Sequence, residues 1–290
     1  MNRHVRRSSL LRGILVLGIG CAVATMPSLA QYEGSDSCAE CHVTQHNQWI
    51  VSGHPWKLVS SDVAQNREAP LPQPPLPPGE TGLTWDDVSY VIGGYKWKIR
   101  YIDTDGYIIT SVDTTGDGTA DTDGMNQYNM MTGEWVDYHP GEVKPYDCGR
   151  CHTTGWVADE DADTDMDLSD NQDGLPGIHG TFAFGGIQCE ACHGPGGPHA
   201  GNPAVDPSAA FCGTCHYRGD TATIPAKGGF IRHHEQYNEL LSGSHAELDC
   251  GVCHNPHSGI RKGQVGGIIA DCESCHDDVT SAHPVVNGAP

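Results

Sequence analysis

Hydrophobic positions are patterned in few places along this chain. An apolar stretch runs from Ile14 to Thr25, behind Arg3, Arg6, Arg7 and Arg12 and ahead of Ser28-Leu29-Ala30. A positive start, a short apolar run and small residues at a cleavage point predict a secretory signal over residues 1–30, not a membrane span. No other segment is apolar for long enough to cross a bilayer. The second patterned stretch has Tyr95, Trp97, Ile99 and Tyr101 alternating with Lys96, Lys98, Arg100 and Ile102. Period two in aromatic and β-branched residues predicts a half-buried strand. Asp103-Thr104-Asp105-Gly106 predicts a turn, and Tyr107-Ile108-Ile109-Thr110 a returning strand. The hairpin would gather Lys96, Lys98 and Arg100 on one face, either solvated or available to dock an acidic partner.

The remainder is punctuated by 37 Gly and 19 Pro. Ala69-Pro70-Leu71-Pro72-Gln73-Pro74-Pro75-Leu76-Pro77-Pro78 favours polyproline II and predicts a stiff strap over residues 69–82. Asp113, Asp117, Asp121 and Asp123 lie in a Gly- and Thr-rich loop, and a second acidic loop runs from Asp159 to Asp173. Flexible oxygen-rich loops suit Ca²⁺, although neither matches the EF-hand pattern; the alternative is a solvated loop.

Chemistry enters with the cysteines. Of 13, one (Cys21) lies in the apolar leader, where Gly20 before it leaves lipidation open. The other twelve fall into six copies of Cys-x-x-Cys-His, at Cys38-Cys41-His42, Cys148-Cys151-His152, Cys189-Cys192-His193, Cys212-Cys215-His216, Cys250-Cys253-His254 and Cys272-Cys275-His276. Zinc or disulfides would use paired cysteines but give no reason for a His after every second Cys. Covalent haem c does. Two thiols add to the two vinyl groups of one macrocycle, and the next imidazole becomes the proximal iron ligand. Six covalent haems are therefore expected, numbered here as sites one to six in chain order.

Each iron needs a second ligand or keeps an open position. The distal ligands expected from local sequence are His54, His179, His199, His234, His245 and His257, with His46, His139, His233 and His283 as alternates. Adjacent His233 and His234 cannot easily face one iron, so one of them is expected to bind. Such a surplus of histidines argues for six closed irons.

The motifs also organise the chain. Residues 31–68 form an N-terminal haem segment, 83–147 a hairpin and acidic-loop insertion, and 148–290 a five-haem region. Within the last, motifs 189/212 and 250/272 repeat as two paired units. Roughly 40 residues per haem is little for an all-protein core, so the macrocycles must supply much of the buried apolar surface. The expected fold is haem-cored: mostly irregular coil, short helices at the motifs and one small antiparallel β hairpin.

Four of the 16 Lys and Arg lie in the leader and none of the 37 Asp and Glu does. So acidic a body repels nucleic acid and anionic lipid and favours cationic partners or positively charged mineral surfaces. Haems packed this densely form an electron path. The alternatives are a soluble periplasmic electron shuttle and an oxidoreductase of nitrogen or sulfur compounds with one open haem.

Trp49-Ile50-Val51-Ser52-Gly53-His54, Tyr90-Val91-Ile92-Gly93-Gly94-Tyr95, Lys144 to Trp156 and Gly186 to Gly196 together resemble the extracellular multi-haem cytochromes of metal-reducing bacteria. The resemblance reaches to about residue 216. It implies export to the cell surface, redox-partner cytochromes, and minerals or electrodes as acceptors, without catalysis. Some relatives self-associate into conducting filaments (nanowires) in which a His of one subunit completes a haem of the next. Here the resemblance implies His46, His54 or His283 for that crossing role. The second haem pair is extra relative to the four-haem filament former.

Overall fold

The computed structural model describes residues 31–67, 73–76, 83–113, 115, 117, 119–160, 168–197, 205–206, 208–217, 236–259 and 266–276. The leader and Cys21 lie outside them. The body that carries the motifs begins at Gln31. Among the described residues the helices are short: α1 (Ser35–Ala39), α2 (Val43–Trp49), α3 (Ser61–Gln65), α4 (Gly149–His152), α5 (Cys189–His193), α6 (Ala209–Gly213) and α7 (Gln236–Ser242). Most of the rest is coil, as expected for a haem-cored chain.

The strands are β1 (Leu58–Ser60), β2 (Val88–Gly93), β3 (Lys98–Asp103), β4 (Ser111–Val112), β5 (Thr122–Asp123), β6 (Gln127–Asn129), β7 (Glu134–Val136), β8 (Thr153–Thr154), β9 (Val157–Ala158), β10 (Gly180–Thr181) and β11 (Phe184–Gly185). The main sheet is antiparallel, in the order β1-β2-β3-β6-β7, and β4-β5, β9-β10 and β8-β11 pair as two-residue ladders. The sheet is thus larger than one hairpin. The turn at Asp103 forms, with its carboxylate accepting from Asp105 N and Tyr107 N at 2.9 Å each. The returning chain at 107–110 forms no strand against β3 and makes isolated bridges, Ile102↔Ile108 and Tyr107↔Pro145, while β2 and β6 pair with β3.

Consecutive apolar pairs explain this. Leu58-Val59, Val91-Ile92, Tyr101-Ile102 and Ile108-Ile109 each send one side chain to either face of the pleat. One face packs Val59, Val91, Ile99, Tyr101, Ile109 and Val112. The other packs Leu58, Ile92, Ile102, Ile108, Tyr146 and Ile178. Ile102 is therefore fully buried where simple alternation places it with the cations, while Trp97 is exposed.

Arg100 departs from expectation as well. Its guanidinium lies 3.6 Å from the Tyr138 ring centre, and its Nε donates to Gln127 Oε1 at 2.7 Å. It belongs to a packed face, so the proposed cationic docking surface loses one of its three charges. Gly93 and Gly94 both have positive φ, and a Cβ would meet Lys98 O at 2.5 Å and Arg67 Nη1 at 2.6 Å respectively. Where the Pro-rich segment is described, at residues 73–76, Pro74 is buried, Leu76 lies on the first cluster, and Pro75 O accepts from Tyr101 Oη.

Candidate haem-binding sites

Each motif is one turn of helix. The His N–H bonds back to the carbonyl of the first Cys at 2.8 Å in site one and 2.9 Å in sites four, five and six. Residues three and four apart then share a face, which sets both sulfurs and the imidazole on one side. All twelve motif cysteines are free. Among the described residues no three or more His, Cys, Asp or Glu converge to hold a bare metal ion. Zinc needs four such ligands at about 2.0–2.3 Å, so the sulfurs are not arranged for it.

The described residues bring three motif imidazoles opposite histidines from outside the motifs. His54 faces His216 with ring centres 6.3 Å apart. His257 faces His193 at 6.1 Å and His245 faces His276 at 5.9 Å. A metal held between two imidazole nitrogens at about 2.0–2.1 Å each separates their ring centres by roughly 6 Å. The residues present therefore fit an iron closed by two histidines, at sites four, three and six.

Electrostatics agree with this geometry. Burial, helped by the charges of Lys57 and His216, holds the His54 imidazole down to about 4. Burial likewise lowers His193, His216 and His257. A neutral imidazole keeps the lone pair that a metal needs.

The fold places these groups through backbone contacts. Ile187 N donates to His54 O at 2.9 Å, and Trp49 Nε1 to Ile187 O at 2.8 Å, tying the His54 loop to the approach of motif three. Gly149, inside motif two, lies under Trp156: a Cβ there would fall 1.9 Å from the indole. Glu190, between the two cysteines of motif three, is almost fully buried. Its carboxylate accepts from Glu33 N at 2.9 Å, Gly34 N at 2.8 Å and Gly196 N at 2.7 Å. It clamps the start of motif one onto motif three. Sequence reasoning missed Glu190 because nothing marks a motif's middle residue as buried. It missed Lys57, beside His54 and His216, for the same reason.

The other expected ligands fall as follows. His139 is half-exposed, bonded to Glu142 Oε2 at 2.8 Å and packed edge-on to Tyr138. His179 is held by its backbone, its N–H donating to Tyr146 O at 3.0 Å and its carbonyl accepting from Asp159 N at 3.3 Å. His46 lies against Trp49, its Nε2 buried 3.6 Å from Asp36. His199, His233, His234 and His283 lie outside the described residues. In the first acidic loop the carboxylates serve the loop itself. Asp113 and Asp121 accept from Thr115 N at 3.0 and 3.1 Å, and Asp117 accepts from Thr119 N at 2.9 Å.

Free thiols in pairs, an imidazole beside each pair and opposed histidines at iron-bridging distance define a multi-haem c-type cytochrome, the class of this chain. The family model for cytochrome c3 matches residues 181–277, which hold motifs three to six. Among solved structures, the octahaem sulfite reductase MccA of Wolinella succinogenes is similar at 17% identity and a TM-score of 0.56, over 86% of this chain and 51% of that one. An undecahaem cytochrome from the S-layer of Carboxydothermus ferrireducens is similar at 19% identity and TM-score 0.49, over 85% of this chain and 43% of that one. The outer cell wall cytochrome OcwA is similar at 23% and 0.45, over 65% and 38%. The chain spans about half of these structures or less. A search of the curated proteins found no match.

Proposed function

We propose that this chain is a six-haem electron conductor whose irons are closed by two histidines each, working in extracellular electron transfer and assembling into a filament. The observation that carries the reading is the set of three imidazole pairs at 5.9 to 6.3 Å. A second axial histidine leaves an iron no position for substrate, so such a site exchanges electrons and does no bond chemistry. Covalent haem supplies the redox change. The chain's own residues hold each macrocycle by two thiols, orient it by the motif His and cap it from another segment: His54 for site four, His257 for site three and His245 for site six.

Two of His42, His152 and His254 are proposed to take their second ligand from among His199, one of His233 and His234, and His179, and the third from a neighbouring subunit. The acidic body, with 37 Asp and Glu, favours cationic partners and oxide surfaces. Among the described residues no helix is long and apolar enough to cross a membrane. For the filament, a ligand must reach a neighbouring subunit. His54 already faces His216 and the Nε2 of His46 is turned inward, which leaves His283 for that role.

Haem quantitation combined with electron paramagnetic resonance at low and high protein concentration tests this. The reading expects six haems per chain and a high-spin signal that disappears as concentration brings subunits together. All-low-spin irons at both concentrations would make the protein a shuttle or a wire without shared ligands. A high-spin iron that persists and responds to nitrite, hydroxylamine or sulfite would make it an enzyme.

A further inference from the structure

Motif four sits where the other motifs meet. Its second cysteine, Cys215, lies against motif two. The two strands of chain are also crossed, with Cys215 Sγ 3.8 Å from Arg150 O and Cys151 Sγ 4.0 Å from Thr214 O. The helix that carries its first cysteine, Cys212, is α6, and it is pinned beside motif five by Ala209 N donating to Asp249 Oδ1 at 2.8 Å. The approach to motif three also meets it, because Ile187 N, two residues before Cys189, donates at 2.9 Å to the carbonyl of His54, whose ring faces His216. The axial partner of motif four, His54, comes from the segment beyond motif one.

The other motifs are tied more simply. Motif one meets motif three, through Cys189 N donating to Ser35 Oγ at 3.1 Å and the Glu190 clamp. Motif six meets motif five, through the His254↔Ile268 bridge and Ile269 N donating to Cys253 O at 2.9 Å, and both its thiols are exposed.

From this we infer that the six sites form a branched array with site four as its hub. Sites two, three and five adjoin it, site one extends the arm of site three, and site six ends the arm of site five. A linear wire in sequence order would join one to two and two to three. Here the motifs in hydrogen-bond contact are one and three, two and four, and four and five. The inference rests on the haem reading. It has a physical consequence at the hub. Each electron held by an adjoining site adds a negative charge nearby, and Coulomb repulsion raises the cost of reducing site four. With three neighbours its titration must be smeared over a wide range of potential. A site at the end of an arm must titrate more sharply.

The test marks one iron at a time in the holoprotein. His54→Met labels site four and His245→Met labels site six, each through the far-red band of His/Met ligation or, where methionine does not bind, the high-spin band of the opened iron. Spectropotentiometry then follows only the labelled band. The expected result is a transition at site four about twice as wide as at site six, or wider. Equal widths, or a narrower one at site four, would overturn the hub. Absence of covalent haem from the wild-type protein, measured by mass, would instead overturn the haem reading itself.

Discussion

The sheet region and the motif region are held together by different means. Residues 58–136 bury side chains in two apolar layers, on both faces of one sheet, with Leu58, Val91, Tyr101 and Ile102 at zero exposure. Residues 189–276 have few buried apolar side chains among those described; Ala209 is the single member of the core there. Their helices are only one or two turns long. Protein stability needs apolar burial to offset chain entropy, so the second region is complete only when macrocycles fill it. One region carries its own core, and the other is a frame for cofactors.

Withholding haem attacks this contrast most directly. Apoprotein, made with each motif cysteine replaced by Ala, is expected to lose all protease protection over residues 189–276 while a fragment spanning the sheet persists. Equal protection of both regions, seen by mass spectrometry of the digest, would break the comparison. Within the sheet, Tyr101→Ala is expected to cost about 3–5 kcal/mol and Ile102→Ala about 2–5 kcal/mol in denaturant unfolding, with the haem count unchanged. A loss of haem in either variant would show that the two regions are not separately built.

Glu190→Gln tests the clamp between motif one and motif three at a smaller scale. The buried amides of Glu33, Gly34 and Gly196 would lose a charged acceptor, at a cost of about 1–3 kcal/mol. Removing a negative charge between sites one and three should also raise their reduction potentials. A melt and a redox titration both unchanged would remove Glu190 from any positioning role. The smallest effect is expected at Trp97, which is 46% exposed: Trp97→Ala should change stability by no more than about 0.5 kcal/mol. A large loss there would mean that simple alternation describes the sheet after all.

The sites were legible in unequal parts. Cys-x-x-Cys-His is a local pattern, since a single helical turn carries both thiols and the imidazole, so every thiol and every motif His could be named from the chain alone. His54, His245 and His257 were nominated by their setting beside a motif, and each faces a motif imidazole. Which imidazole each faces was not legible. His54 follows motif one yet faces His216 of motif four, 162 residues away in the chain. The sheet was half legible: Ile99 and Tyr101 follow period two, but strands buried on both faces lose the alternation that marks them.

Composition and spacing by themselves determined that this chain is a haem-cored, acidic, coil-rich cytochrome with six attachment motifs, because covalent attachment uses residues adjacent in sequence. The tertiary structure decided which histidine opposes which, that Arg100 packs instead of docking, that Glu190 joins motif one to motif three, and that motif four stands among motifs two, three and five. Those are contacts between residues far apart in the chain. They depend on how β1, β2 and β3 stack, how the 184–188 segment returns beside His54, and where α6 lies, and no local pattern of residue types encodes them.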